Sequence, residues 1–313
     1  MAVRKRPSDY QENSIRVLKG LEPVKSRPGM YTLTDNPLHI IQEVLDNASD
    51  EVLGGFGDTI TLTMCADGSV AVEDNGRGIP VGIHPTEGIP TVELVFTQLH
   101  AGGKFDKASG GAYSFSGGLH GVGSSVVNAL SKHLTVRVKD GKNVYEDTYE
   151  YGNPTTELVN GLLPVVGRTR ETGTTISFLP DDTIFDKTRF KEDDIKSRLH
   201  ETAYLNPALT IHFEDCRGTE PEILDYHEPE GIVGFIKDMN KSCEAVTDVI
   251  SFQGESDGIS VEGAFQYINE FHENVLGFCN NIYNAEGGTH LTGFKTQFTT
   301  IINSYARELN IFK

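Results

Sequence analysis

Three groups of residues in this sequence have the types and spacing to do chemistry. The first lies in LHIIQEVLDNASDEVLG, residues 38–54. There Glu43, Asn47 and Asp50 fall at i, i+4 and i+7, which puts them on one face of a helix. An acid, an amide and an acid in line suit a Mg²⁺ site: the Asn47 carbonyl is a hard oxygen donor, with phosphates and waters completing an octahedron. Glu43 can then orient and deprotonate an attacking water, as phosphoryl transfer requires. The second group is Asp74-Asn75-Gly76-Arg77-Gly78-Ile79-Pro80. A carboxylate there can accept a hydrogen bond from an exocyclic ring amine, and the glycines let a flat ring approach the backbone. Arg77 needs an anionic partner, and Glu51 is the reasonable one. The third is Gly117-Gly118-Leu119-His120-Gly121-Val122-Gly123, running into Ser124. A glycine loop feeding a helix start turns free N–H groups toward a phosphate chain, and Lys104 is a further phosphate ligand. Each group alone has a plainer reading: a solvated helix face, a turn, and a flexible loop.

The elements that must position these residues can be read from periodicity. Ile40, Ile41, Val44, Leu45, Ala48 and Val52 give 38–54 an apolar stripe opposite the polar one, and Gly54-Gly55 closes the helix. Thr59–Met64 and Ser69–Glu73 alternate around Asp67-Gly68, predicting a hairpin that ends on Asp74. A helix is predicted over 90–100. A long glycine-rich loop over 101–123 and a helix over 123–132 follow. Strands are predicted at 134–139, 144–151 and 174–179, a helix at 190–204 and a strand at 209–214. The polar, Pro-bearing stretch Asp215–Pro229 is a candidate boundary. Beyond it a helix is predicted near 231–240, strands near 247–253, 258–267 and 274–283, and a helix over 289–309. Helices mixed with antiparallel-looking strands favour α+β over a doubly wound parallel sheet.

Bulk properties exclude several classes. The chain has 313 residues, 37% of them hydrophobic and 23% charged, enough for one large or two ordinary domains. No run of about 18 apolar residues occurs, so no membrane span is expected. The basic start MAVRKRPSDY leads into no apolar stretch and is not read as a signal peptide. Cys65, Cys216, Cys243 and Cys279 are far apart in sequence with no C-x-x-C pair; they read as buried or idle thiols of a reducing cytoplasm, not as a zinc site or disulfide frame. A net charge of −18 opposes a surface that grips DNA. The glycine run lacks the spacing and the preceding strand of a dinucleotide fold. No Gly-x-x-x-x-Gly-Lys-Ser/Thr loop is present either.

The order of the groups says more than each one does. An acid–amide helix, then a strand with DxGxG, then a glycine-rich lid opening a helix resembles the GHKL (Bergerat) ATPases. Within that group, SIRVLKGLEPVKSRPGMY, EVLDNASDE, DNGRGIPVGIHP, LHAGGKF, SGGLHGVGSSVVNALS and EGGTHLTGFKTQF are similar to the B subunits of the bacterial type II DNA topoisomerases, gyrase and topoisomerase IV. They spread over positions 14–298. Thr32 to His39 and Gly88–Leu94 are more similar to topoisomerase IV.

The resemblance implies a GHKL sandwich of a mixed sheet and helices over 1–220 with an N-terminal arm. It implies part of a ribosomal-protein-like α/β transducer domain over 221–313. It implies ATP and Mg²⁺ as cofactors, Glu43 as general base and Asn47 as metal ligand. Asp74 would bind the adenine amine, with Gly78 and Thr174 beside the base among Asp50, Arg77, Ile79 and Pro80. Lys104, Tyr113 and Gly118, Leu119, His120, Gly121, Val122, Gly123 and Ser124 would line the phosphates and lid. Tyr10 would reach the partner's nucleotide.

The implied partners are a second copy of the chain on ATP binding, the topoisomerase A subunit in an A2B2 assembly, and a DNA duplex, in the cytoplasm. Lys139 stands near the family's coumarin-contact arginine, which puts that drug contact in doubt. No Gln-Thr-Lys loop is present, so the second domain would be incomplete and hydrolysis by this chain is expected to be weak. A nucleotide-gated dimerisation module without useful catalysis is the rival reading. A repair or chaperone ATPase of the same group is opposed by RPGMY and GGTH.

Overall fold

The computed structural model describes residues 14–103, 121–188 and 190–311. Its centre is a nine-stranded mixed sheet with helices on one face.

The alternation seen in sequence explains why that sheet has one covered face. In β1 (Thr59–Met64), Ile60, Leu62 and Met64 are fully buried while the intervening threonines are half-exposed. Strand β8 (Thr210–Asp215) repeats the pattern with Ile211 and Phe213 inward. Period-two patterning of this kind commits each strand to one register, because a one-residue slip would turn the apolar set to water. Strand β2 (Val70–Asp74) pairs antiparallel with β1, placing Ile60 opposite Asp74. On β2's other side β7 (Thr172–Pro180) sets Thr174 opposite Asp74. Strands β3 (Ser131–Asp140) and β4 (Asn143–Glu150) continue the sheet beyond β7. The short β5 (Asn153–Pro154) and β6 (Val165–Arg168) both pair with β4. β1 and β8 run parallel, which makes the sheet mixed.

Helix α1 (Glu22–Ser26) sets Val24 into the core. The predicted long helix is α2 (Leu38–Leu53). Asn36 Oδ1 accepts the Leu38 N–H at 3.0 Å and so covers its first turn. At the other end Gly55, at φ 76°, takes the left-handed turn that stops it. Helices α3 (Thr91–Thr97) and α4 (Gly123–Ala129) pack on each other, and α4 packs on α2. Helix α5 (Glu192–Leu205) covers β8. Together these elements close one core that includes Leu45, Leu62, Phe96, Phe178 and Phe213.

The remaining elements are α6 (Gly231–Met239), the hairpin β10 (Ile250–Ser256) with β11 (Ile259–Phe265), the two-residue pair β12 (Phe278–Cys279) and β13 (Ile282–Tyr283), and α7 (Thr289–Glu308). Helix α6 docks on α5 through a Tyr204–Phe235 stack at 5.0 Å. Helix α7 meets the hairpin through Phe252–Phe294 and Phe265–Phe298, at 5.7 and 5.1 Å.

Three expectations change. The polar stretch 215–229 contains a strand, β9 (Glu222–Tyr226), because Ile223, Leu224 and Tyr226 suffice to extend the sheet by pairing with β8. The strand expected over 274–283 is a tight turn between two-residue strands, with Asn280 and Asn281 both at positive φ. None of the cysteines is buried: Cys65, Cys216 and Cys243 are half-exposed and Cys279 is exposed. Among the described residues no helix is long and apolar enough to cross a membrane.

Leu62 is fully enclosed at the middle of β1. Leu62→Ala is therefore expected to lower unfolding stability by about 2–5 kcal/mol, as urea denaturation would measure, without changing the secondary-structure content.

Candidate functional site

Asp74 is the last residue of β2, where the strand leaves the sheet for the DxGxG turn. Its side chain is largely enclosed, and that burial raises its carboxyl pKa from 3.8 to about 7. The Glu51 and Glu73 carboxylates add to the rise, while N–H donation from Gly76, at 2.9 Å, and from Thr174 opposes it. A carboxyl so enclosed, with only part of its acceptor capacity met, can take a hydrogen bond from a ring amine. Thr174 lies directly across the ladder and is only 7% exposed.

The glycines here are dictated by space. A Cβ on Gly173 would stand 2.1 Å from the Asp74 carbonyl oxygen, and one on Gly76 would stand 2.7 Å from Glu51 Cγ. Gly78, at φ 80°, would press a Cβ to 2.9 Å from the Lys139 carbonyl oxygen. The turn itself is held from two sides. Asn75 Oδ1 accepts the N–H groups of Asp58 and Thr59 at 2.9 and 3.0 Å. Glu51 takes the Arg77 backbone N–H at 2.9 Å and its guanidinium at 2.9 and 3.1 Å, in the pairing expected from sequence. The Arg77 guanidinium also lies 3.6 Å from the centre of the Phe56 ring. Arg77 is thus a brace of the turn. Ile79 packs on the core and Pro80 is exposed.

The other wall comes from α2 and α4. Glu43 and Asn47 are half-buried and face the start of α4. Asn47 Nδ2 lies 3.5 Å from Ser124 Oγ. A Cβ on Gly123 would fall 2.1 Å from Glu43 Oε2, so a side chain there would push the Glu43 carboxylate aside. No side chain caps α4. Gly121, at φ 62°, and Val122, packed on the core, lead into it.

Asp50 does not share the open strip: it is 1% exposed. Helix α2 is flanked by the sheet, α4 and α5, so only a narrow stretch around Glu43 and Asn47 escapes packing. Tyr10, Lys104, Tyr113, Gly118, Leu119 and His120 lie outside the described residues.

Several further residues shape the site. His39 Nε2 stands 3.6 Å from Glu43 Oε1, while its Nδ1 is buried without a hydrogen-bond partner. The i, i+4 spacing of His39 and Glu43 was the available signal. Lys139, weighed in sequence only as a drug contact, is held by Glu73 at 2.8 Å and Glu171 at 3.1 Å, and those contacts raise its pKa. Gly173 and Phe56 left no local signal, because their roles arise only across the sheet.

Two family models match the chain: "Histidine kinase-, DNA gyrase B-, and HSP90-like ATPase" over residues 33–184 and "DNA gyrase B" over 231–313. The B subunit of DNA topoisomerase 4 from Staphylococcus aureus is 46% identical over 311 residues, covering 98% of this chain and 46% of that protein. The chain therefore spans just under half the length of the curated relatives it matches. The crystal structure of the 43K ATPase domain of Thermus thermophilus gyrase B, in complex with an aminocoumarin, superposes with a TM-score of 0.77 at 35% identity, covering 96% of this chain and 76% of that one. The topoisomerase IV ATP-binding domain of Francisella tularensis, in complex with a small-molecule inhibitor, gives 0.58 at 40% identity, covering 69% and 98%.

The Asp74 shift makes stability depend on pH. Its folded pKa is raised, so its favourable contribution is complete below the ordinary value and lost as pH rises through about 7. Asp74→Asn removes the titration. The variant is expected to melt several degrees above the wild type at about pH 8, with the gap closing toward about pH 4; thermal melts across that window would read it.

Proposed function

The chain belongs to the B-subunit family of the bacterial type II DNA topoisomerases, gyrase and topoisomerase IV, and from that premise we propose that it binds ATP in the site between Asp74 and Glu43 and hydrolyses it there. The observation that supports this best is the enclosed Asp74 carboxyl with Thr174 beside it, on the wall opposite Glu43 and Asn47. The adenine amine donates to Asp74. The base lies flat where Gly78 leaves room. The triphosphate then runs toward Asn47 and the start of α4.

Glu43 takes the proton of the attacking water. The water oxygen bonds to the γ-phosphorus, and the bond from that phosphorus to the β–γ bridging oxygen breaks. His39, at 3.6 Å, positions the Glu43 carboxylate. The residues fit a magnesium ion in one respect: with Asn47 Nδ2 turned toward Ser124, the other end of the amide is a hard oxygen donor. Among the described residues no cluster of three His, Cys, Asp or Glu could hold a metal, so the phosphates and water must give the remaining oxygens. When bound, the ion neutralises charge developing on the phosphates. Lys104, Tyr113 and the run from Gly118 to Ser124 serve the phosphates and lid in this reading, and Tyr10 the partner copy's nucleotide.

We divide the chain between β9 and α6, since β9 completes the first sheet. For the whole protein we propose ATP-driven dimerisation that closes a gate on a DNA duplex, with an A subunit supplying the rest of a cytoplasmic A2B2 enzyme. The charge of −18 suits a module that encloses DNA without gripping it.

Two substitutions separate binding from chemistry. Asp74→Ala should weaken nucleotide binding about 10- to 100-fold by calorimetry, the loss of a hydrogen bond involving a charged or enclosed group. Glu43→Ala should bind nucleotide nearly as well while phosphate release falls by about 10²- to 10⁴-fold, the usual contribution of a general base. Equal turnover by wild type and Glu43→Ala would rule out catalysis through Glu43 and leave a nucleotide-gated dimerisation module.

A further inference from the structure

Two cysteines that lie about 150 residues apart in sequence come together at the end of the parallel strand pair. Met64 and Asp215, the last residues of β1 and β8, are register partners. Cys65 and Cys216 each follow by one residue, and the Cys216 N–H donates to the Met64 carbonyl at 2.8 Å. Both continue the outward phase of their strands: in each, the residue two before is half-exposed and the last is buried. The two thiols therefore share the uncovered face of the sheet, both half-exposed. In-register neighbours on adjacent strands are about 4.8 Å apart, inside the Cα separation of about 4.4–6.8 Å that a disulfide spans.

The backbone around the pair is anchored. Cys65 opens the β1–β2 turn, with its N–H on the Ser69 carbonyl and its carbonyl accepting from Gly68, at 2.9 and 3.0 Å. Arg217 grips Asp215 through both carboxylate oxygens and donates to the Phe190 carbonyl at 2.9 Å.

We propose that Cys65 and Cys216 are a cross-strand dithiol that closes to a disulfide by exchange with a low-molecular-weight disulfide. Cys65, as thiolate with its proton released to water, attacks one sulfur of the small disulfide. This forms a mixed disulfide and expels one small thiolate. The Cys216 sulfur then attacks the Cys65 sulfur, forming the protein S–S bond and expelling the second small thiolate. Two protein thiols are oxidised and one small disulfide is reduced to two thiols. Partial burial and the Glu214 carboxylate raise the Cys216 pKa, which disfavours its thiolate. The acidic surroundings favour a neutral or cationic small disulfide over an anionic one.

The modification ties the β1–β2 turn to the end of β8, at the opposite end of β2 from Asp74. The test is to incubate the protein with 2-hydroxyethyl disulfide at neutral pH, then map peptides without reduction and count free thiols. The expected result is a Cys65–Cys216 peptide pair, at least two of four thiols lost, reversal by excess dithiothreitol, and a melting temperature several degrees above the reduced form. Cys216→Ser should stop at a mixed disulfide on Cys65. Adducts on separate cysteines without the linked peptide, a linkage between other cysteines, or an unmodified Cys216→Ser chain would each overturn the proposal.

Discussion

Asp74 is the point on which the rest of this site depends. A carboxyl group is held at the end of a strand in surroundings that disfavour its charge, raising its pKa to about 7. That position costs folding free energy, since a chain seeking only stability would place an apolar residue there or leave the acid in water. The carboxyl is held in place by the antiparallel neighbours. β7 brings Thr174 abreast, and Gly173 comes so near that a methyl group would overlap the Asp74 carbonyl. The Glu51–Arg77 pair braces the turn that follows, where the Gly76 N–H donates to the carboxyl.

The same logic of close approach governs the opposite wall. Gly123 lies so near Glu43 that a side chain at the first turn of α4 would displace the Glu43 carboxylate. The acid helix and the helix after the glycine run pack on each other. Glycine in the DxGxG turn and at the start of α4 does two jobs. It admits backbone angles that other residues avoid, and it removes a Cβ that packing forbids. The second job is the one the structure shows most directly, because Gly76 and Gly123 do not lie at positive φ.

The sheet accounts for why distant parts of the chain cooperate. β1 is antiparallel to β2 but parallel to β8, so one strand end carries the Asp74 carboxyl's neighbour and the other carries Cys65 beside Cys216. One face is buried under helices. The other keeps threonines, His212 and Glu214 half-exposed. The hairpin of β10 and β11 with α7 is different in kind. Its aromatic rings stack among themselves, yet Ile250, Ile259, Val261, Ile301, Ile302 and Tyr305 remain exposed.

Much of this was legible in the residues. The period of α2, the β1–β2 hairpin, the DxGxG turn and the Glu51–Arg77 pair follow from local spacing and residue chemistry, because helix faces and strand alternation are properties of a few consecutive residues, while Glu43, Asn47 and Asp74 stand out there only as candidates. Only the tertiary structure decided what those residues meet. Asp50 has the right spacing for the open face but is buried, on a helix that the sheet, α4 and α5 all pack against. β9 looked like a polar linker until β8 offered it an edge to pair with. Gly173 and the Cys65–Cys216 neighbourhood carry no sequence signal at all, because register between strands far apart in the chain is set by how the whole sheet buries its apolar face.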